Sequence, residues 1–276
     1  MRSILAAIVV GLTAAAAHAQ YVPSDDELSN PIEPAVSLYR YRLGGVVGVG
    51  PAFQSGGLKT TECECPPFTD GAGHSLAAGI VGEYYFTQAI DIGVLMLYDY
   101  RTIDARYREY EAVPLTHSAT GETIVQRAQF RHIAAASVTS LGFHPFVKFH
   151  PYKGIFLRTG LGINFAMASS LRHEKELLDR AARLPNGEEA ELSLNRSDPR
   201  VFSSTQALIQ DSDLPGLKSP MLFWDIAAGI DIRAGRKMIV TPVFQYSFPL
   251  SDASSSGSAF RMSGWMIMAE VKVKFR

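Results

Sequence analysis

Eight stretches of the chain alternate apolar and polar residues, and this period of two constrains the fold more than any other feature of the sequence. In the seventh stretch, for example, one face carries Val240, Phe244 and Tyr246 and the other carries Thr241 and Gln245. Such alternation predicts a β-strand with one apolar and one polar face. The stretches are about 10 to 16 residues long, whereas strands of soluble proteins average five or six. Aromatic residues gather near their ends, as in membrane-spanning strands.

The connections between these stretches alternate between long and short. Long connections on one side and tight turns on the other are typical of bacterial outer-membrane barrels. We therefore predict an all-β fold, an eight-stranded antiparallel transmembrane up-and-down β-barrel over residues 35–276, with short periplasmic turns and long extracellular loops. The main alternative is a periplasmic or secreted β-sandwich or lipocalin-like barrel. The predicted outer connections are residues 51–74, 104–123, 170–219 and 250–258, and the predicted inner turns are residues 87–88, 150–152 and 234–236.

The N-terminus predicts export. A short basic start, an apolar run over residues 4–17 and the sequence Ala17-His18-Ala19 indicate a signal peptide over residues 1–19, with an N-terminal membrane anchor as the alternative. Residues 20–34 are acidic and proline-rich, which predicts a periplasmic tail. Removal of Arg2 with the signal changes the formal net charge from −1 to −2, and this charge does not suggest nucleic-acid binding. We predict the outer membrane of a Gram-negative bacterium as the location.

Three segments fit the alternation less well. The fourth stretch, residues 126–149, is weak because its centre, residues 134–137, hardly distinguishes two faces. Pro242 lies within the seventh stretch, where a missing ladder donor predicts a bulge or a demoted strand. In the third outer connection, the spacing of Leu177, Leu178, Ala181 and Leu184 predicts a short helix over residues 174–184.

The polar faces carry full charges, which the barrel would enclose. Buried charges are costly unless they are paired, so we predict an ion-paired network that plugs the lumen, with a narrow polar pore as the alternative. The predicted members are Arg40, Arg42, Glu83, Asp91, Asp99, Arg101, Arg158, Asp225, Asp231, Arg233, Glu270, Lys272 and Lys274.

The remaining candidate residues give weaker signals. Cys63 and Cys65 lie in the first outer connection of an exported chain, which predicts a local disulfide; free thiols are the alternative. The histidines are expected to be exposed polar residues of the rims, and no Ser–His–acid pattern stands out. We predict no catalytic residue, no cofactor and no metal site.

Four segments carry a resemblance to a known group of proteins: 65–68, 82–86, 143–160 and 271–276. In them the chain resembles small outer-membrane barrels of the OmpA/OmpX type, and it looks closest to the PorT-like outer-membrane barrel families of the Bacteroidetes–Chlorobi lineage. The resemblance implies that Phe275, near the end of the last strand, resembles the signal read by the barrel-assembly machinery.

Three classes of function fit this fold. The first, which we favour, is a structural or partner-binding protein whose outer loops meet other molecules. The second is an accessory subunit of a secretion or assembly system, which the resemblance would permit. The third is a narrow pore for small solutes. Expected partners are outer-membrane lipid and lipopolysaccharide, the assembly machinery, and a protein at the outer loops, but no nucleic acid.

Overall fold

The structure is a computed structural model, and it describes most of the chain from Arg40 onward. The predicted signal peptide (1–19), the predicted tail (20–34) and Cys63 lie outside the described residues. The described ranges are 40–61, 65–87, 89–117, 123–152, 154–179, 181–183, 189–194, 199–235 and 237–275.

Every regular element in these ranges is a β-strand. No helix in the described ranges is long and apolar enough to cross a membrane. The strands are β1 (Tyr41–Leu58), β2 (Gly71–Tyr85), β3 (Ile90–His117), β4 (Thr123–Tyr152), β5 (Ile155–Leu177), β6 (Ala181–Arg183), β7 (Glu189–Leu194), β8 (Gln206–Ser212), β9 (Met221–Ile230), β10 (Ile232–Arg233), β11 (Met238–Pro249) and β12 (Gly257–Phe275).

Eight of these strands form a closed antiparallel ring. Each long strand pairs with its neighbour in the chain, and β12 pairs with β1 to close the ring. The order around the ring is β1, β2, β3, β4, β5, β9, β11 and β12. The predicted eight-stranded antiparallel up-and-down barrel is therefore confirmed as the fold.

The ring closes with a stagger of ten residues. Starting at Arg42, the ladder partners run through Glu83, Gly93, Phe146, Gly160, Asp225, Ser247 and Gly264, and return to β1 at Ala52. For eight strands at the usual spacings, a stagger of ten residues gives a strand tilt of about 41° and a backbone radius of about 8 Å. A cylinder of that radius is just wide enough for side chains to fill.

Pro242 lies where the ladder is already interrupted. It pairs with Ala269 of β12, and on its other side the pairing with β9 begins only at Val243. Asp231 separates β9 from β10 at this level. The missing donor of the proline therefore falls at a break between two short strands, and β11 continues through it as part of the ring.

The two ends of the barrel differ strongly. At the short-turn end, residues 86–89, 153–154 and 234–237 join successive strands. At the other end, which we call the loop end, β3 and β4 remain paired to Thr116 and Thr123. Much of the predicted outer loops 51–74 and 104–123 is therefore strand rather than loop. At the loop end, the strands continue beyond the part of the ring whose outward side chains are apolar and exposed. We call the apolar outward part the belt and the strands beyond it the extension.

The predicted helix over residues 174–184 is wrong. Glu174–Leu177 continue β5 and pair with β4, residues 174–176 also pair with β8, and Ala181–Arg183 form β6. The leucine spacing fits one helical face, but two neighbouring strands offer the backbone a ladder on both edges. Leu177 is buried in an apolar cluster inside the extension, as an inward residue of a strand.

The side chains that point outward from the ring are largely apolar. Large apolar residues on the outside include Leu43, Val47, Leu76, Ile80, Met96, Phe143, Leu157, Leu161, Trp224, Phe244, Ile267 and Val271, all of them exposed. The interior is filled by two apolar clusters, one around Phe146 and Phe156 and one nearer the loop end around Phe68 and Phe260. Charged and polar side chains share the interior with these clusters.

Candidate functional site

The interior near the short-turn end holds a continuous network of ion pairs, which we call the lumen network. Alternation along each strand points one charged residue inward from each of several strands, and the ring brings them together. Its carboxylates are Glu83, Asp91, Asp231 and Glu270, and its cations are Arg42, Lys148, Arg158 and Lys272.

Lys272 lies at the centre of the lumen network. Its Nζ is 2.8 Å from Glu83 Oε1 and 3.0 Å from Glu270 Oε2, and Lys272 is fully buried. Lys148, also fully buried, bonds Asp231 at 2.8 Å and Glu83 at 3.3 Å. Lys148 thus bridges two carboxylates and Lys272 three, because its Nζ also lies 3.5 Å from Asp231 Oδ1, and the four cations and four carboxylates of the network balance. Full pairing is the condition under which buried charges are tolerated.

Arginines extend the network in both directions. Arg42 Nη1 is 3.0 Å from Asp91 Oδ2 and 3.3 Å from Glu83 Oε2. Arg158 Nη1 is 2.6 Å from Glu270 Oε1, and its Nη2 donates to Gln245 at 2.9 Å. Arg42 therefore joins β1 to β2 and β3, and Arg158 joins β5 to β11 and β12.

A second polar group lies next to the lumen network. His144 Nδ1 is 2.6 Å from Asp225 Oδ2, and Ser247 donates to Asp225 Oδ1 at 2.6 Å. Glycines make room for this histidine. A Cβ at Gly142 would lie 2.4 Å from His144 Nε2, and a Cβ at Gly162 would lie 2.5 Å from His144 Nδ1, which is too close in both cases. Nearby, Arg101 donates to Asp99 at 2.7 Å and lies over the ring of Phe223.

Most predicted members of the network lie inside the barrel, but not all. Arg40 and Arg233 are exposed, and Lys274 is half-buried. These three lie at the strand ends of the short-turn side, where a tilted barrel no longer encloses alternate side chains. The inclusion of Arg40 and Arg233 is therefore wrong.

Sequence reasoning missed Lys148, His144 and His150 as interior partners, whereas it had already placed Thr241 and Gln245 on the polar face of their strand. Lys148 and His144 belong to β4. The small residues at the centre of this strand did not distinguish its two faces. Between residues 143 and 149, however, apolar outward residues alternate with His144, Phe146 and Lys148, and that signal was available. The expectation of exposed rim histidines is wrong for His132, His144 and His173, which are buried.

A separate polar group lies inside the extension, between the apolar cluster around Phe68 and a smaller one around Phe130. Its members come from β3, β4 and β5, and they are Tyr107, Glu109, Glu111, His132, His173 and Lys175. We call this group the outer polar layer.

Hydrogen bonds order the outer polar layer. Glu111 accepts from His132 Nε2 at 2.7 Å through Oε1 and from Lys175 through Oε2. His132 Nδ1 is 2.9 Å from His173 Nε2. The Tyr107 ring stacks on His132 with an interplanar angle of 2°, and Phe68 meets His173 edge-on.

Electrostatics within this layer follow from burial and from those bonds. Burial opposes charge on Glu111, but hydrogen bonds from His132 and Lys175 outweigh it and lower its pKa to about 2. Burial lowers the pKa of His173 to about 4, helped by His132 and Lys175. Burial also raises the pKa of Tyr107, and Glu109 and Glu111 add to that effect. The layer thus holds an ionised Glu111 together with a neutral His173 and a neutral Tyr107.

The extension also has a basic outward face on β3 and β4. Arg106, Arg108 and Arg127 are exposed there, and Arg127 lies over the ring of Tyr110. Arg108 is the ladder partner of Arg131, and Arg131 Nε lies 3.7 Å from Glu176 Oε2. Glu176 therefore offsets part of the repulsion between the two arginines, whereas Arg108 has no ion-pair partner among the described residues.

Two predicted residues stand apart from these groups. Cys65 is disulfide-bonded in the structure. Its predicted partner Cys63 lies outside the described residues, so the pairing stays a prediction. Phe275 is exposed on β12 opposite Tyr41. Its role as an assembly signal also stays a prediction.

Comparisons with known proteins concern the barrel alone. No protein-family profile and no curated protein sequence matches the chain. Among solved structures, outer membrane protein OprG from Pseudomonas aeruginosa is 12% identical with a TM-score of 0.36, and 86% of this chain and 96% of that one are covered. Neisserial surface protein A is 12% identical with a TM-score of 0.31, over 85% of this chain and 97% of that one. The outer membrane protease OmpT from Escherichia coli is 8% identical with a TM-score of 0.29, over 89% and 100%.

We predict that Lys272→Met destabilises the barrel strongly. The substitution keeps the length of the side chain but leaves Glu83 and Glu270 without their shared ammonium, which should lower the free energy of unfolding by about 3–5 kcal/mol. Lys218→Met is the matched control, because Lys218 pairs with Asp252 at an exposed site and should change little. Urea unfolding followed by tryptophan fluorescence measures both, and equal effects would contradict a structural role for the network.

Proposed function

We propose that this chain is an integral protein of a Gram-negative outer membrane, closed to solutes, that binds phosphorylated saccharide of the outer leaflet through its basic outward face. The proposed role is binding rather than catalysis. The single observation that carries the proposal is the inverted polarity of the ring, which is apolar outside and charged inside.

The outward belt supports the membrane location. Every strand of the ring contributes exposed apolar side chains, from Tyr41 to Phe53 on β1 and from Ile155 to Met167 on β5. Exposed aromatics lie near both edges of the belt, including Phe86, Tyr152 and Phe275 at the short-turn end and Tyr98 and Phe165 at the other, as at membrane interfaces. In lipid, a closed ring leaves no backbone edge unpaired. We propose that insertion uses the barrel-assembly machinery, with Phe275 as part of its signal.

The filled interior supports a closed lumen. Buried side chains follow one another along the barrel from Lys272 and Lys148, past Phe156 and Phe146, to Phe223 and Phe260. An eight-stranded ring leaves space for side chains but not for a wide channel as well. We therefore propose a plugged barrel and keep the narrow pore as the alternative that conductance tests.

The basic outward face supports an anionic partner. Arg106, Arg108 and Arg127 have no ion-pair partner in the described part of the chain, and they lie on the extension beyond the belt. Arginine forks bind phosphate well because two N–H groups meet two oxygens. At that position beyond the lipid, the phosphates of lipopolysaccharide are the chemistry that fits. An accessory role in a secretion system is the alternative function, and a protein ligand of the loops would favour it.

The membrane location predicts different costs for one arginine at two exposed apolar positions. Leu161→Arg lies in the middle of the belt and should lower the free energy of unfolding in lipid by about 2–4 kcal/mol. Val125→Arg lies on the extension and should change it by no more than about 0.5 kcal/mol. Unfolding in lipid vesicles measures both, and equal small effects would contradict a membrane-spanning belt.

The closed lumen predicts no steady conductance. Folded protein inserted into planar lipid bilayers should leave the current at the level of the protein-free membrane, because paired charges and apolar clusters fill the interior. Reduced gel mobility after heating, which separates folded from unfolded barrels, serves as the check that the protein inserted folded. A steady, reproducible conductance per inserted chain would favour the pore.

Saccharide binding predicts a charge effect that depends on position. Replacing Arg106, Arg108 and Arg127 with Gln should weaken the binding of purified lipopolysaccharide at least tenfold and reduce its salt dependence. The control replaces Arg172, Lys218 and Arg261 with Gln, which removes the same charge from cations that already pair with carboxylates. Dephosphorylated lipopolysaccharide should bind weakly to the unmodified protein. Equal losses in the two triple variants would contradict the proposed surface.

A further inference from the structure

The outer polar layer contains more polar groups than a buried ion pair requires. Three of its groups, Glu109, Glu111 and His132, each place one possible ligand atom within 4.8 Å of the others. Two buried atoms of the same layer, Tyr107 Oη and His173 Nδ1, have no hydrogen-bond partner in the part of the chain that the structure describes. The layer therefore contains polar atoms that no described residue of the chain binds.

We propose that Glu109, Glu111 and His132 form a binding site for a divalent transition metal ion such as Zn²⁺, supported from behind by His173 and Lys175. The inference is independent of the proposed saccharide binding, because its residues face the interior of the extension. Imidazole together with carboxylates is a ligand set typical of zinc.

His132 is held so that one ring nitrogen can ligate. Its Nε2 points to Glu111 Oε1, and its Nδ1 lies 2.9 Å from His173 Nε2. With a metal bound at Nε2, Nδ1–H would donate to His173 Nε2, so that His173 takes the position that a carboxylate, a backbone carbonyl or water usually has behind a ligating histidine. Stacking on Tyr107 fixes the plane of the ring.

Glu111 can ligate without losing its other contact. Oε1 faces His132, whereas Oε2 accepts from Lys175. A metal ion at Oε1 would leave the ammonium on Oε2, where it orients the carboxylate and offsets part of the negative charge. Lys175 is held in turn over the ring of Phe130, 4.1 Å from its centroid.

Glu109 supplies the observation that favours a cation over a closed ion pair. It lies two residues before Glu111 on β3 and faces the same side, yet no hydrogen bond or ion pair to Glu109 is found among the described residues. Two carboxylates side by side repel each other, and Lys175 reaches only one of them. A divalent ion between them would remove that repulsion.

The proposed metal site is partly accessible to solvent, and metal binding requires only a small rearrangement of its ligands. Glu111 is about a quarter exposed, so the site can be reached from the loop end. Normal zinc–ligand distances at a tetrahedral angle require His132 Nε2 and Glu111 Oε1 to separate by about 0.6 Å and to give up the proton that they share. The histidine ligand favours Zn²⁺ over Ca²⁺ and Mg²⁺, which prefer oxygen ligands alone.

The test is calorimetric titration of Zn²⁺ into the full, tag-free folded barrel in detergent. We expect one ion per chain, with excess Mg²⁺ or Ca²⁺ unable to compete. Glu109→Gln should weaken the affinity at least tenfold while leaving folding intact, because this carboxylate has no partner to lose. His173→Gln should weaken it less, since His173 supports a ligand without touching the ion.

Glu174→Gln is the matched control. Glu174 lies on the outward side of the same extension and pairs with Arg172, so its variant should bind Zn²⁺ as the unmodified chain does. Heat-dependent gel mobility confirms that each variant is folded. Absence of stoichiometric binding at micromolar Zn²⁺, or equal affinity in the chain and its Glu109→Gln variant, would overturn the proposal.

Discussion

Closure of the backbone ladder is the constraint on which the rest of this structure depends. Eight strands that meet with a stagger of ten residues define one radius and one tilt, and the interior must then be filled by whatever side chains point inward. Large inward side chains are accommodated by glycines on neighbouring strands. A Cβ at Gly93 or Gly160 would collide with Phe146, and one at Gly229 with Phe156. The barrel wall therefore carries glycine, which has no side chain, where the large rings of Phe146 and Phe156 lie against it.

The interior divides into zones of different chemistry along the barrel axis. Near the short turns, four cations and four carboxylates balance, and nearly all are out of reach of water. Toward the loop end, the apolar cluster around Phe68 and Phe260 separates them from the outer polar layer. Glu111, in that layer, keeps partial exposure, unlike Lys272 or Lys148. The inner network holds the walls together, whereas the outer layer keeps a partly exposed carboxylate, Glu111.

How much the sequence could predict varies with how clearly each strand distinguishes its two faces. Where large apolar residues alternate with charges, as around Glu83 and Lys272, both the strand and its inward residues could be predicted. In β4, the run 134–137 of small residues hid the alternation, and Lys148 and His144 were missed. The outer polar layer could not be predicted either, because His132 and His173 become neighbours only through the β4–β5 ladder, which local sequence does not encode. The helical spacing near Leu177 misled for the same reason.

The β3–β4 hairpin has a consequence for how the chain reaches its final shape. Its two strands are paired from Ile90 and Phe149 to Thr116 and Thr123 and are joined by only five residues, 118–122, so bringing them together restricts little of the chain. Pairing of Tyr41 with Phe275 joins the two ends of the described chain and restricts all of it. Contacts of high sequence separation are the slow ones. We therefore expect the hairpin to assemble early and the β1–β12 seam to zip up last, which leaves the barrel able to open sideways until its final strand arrives.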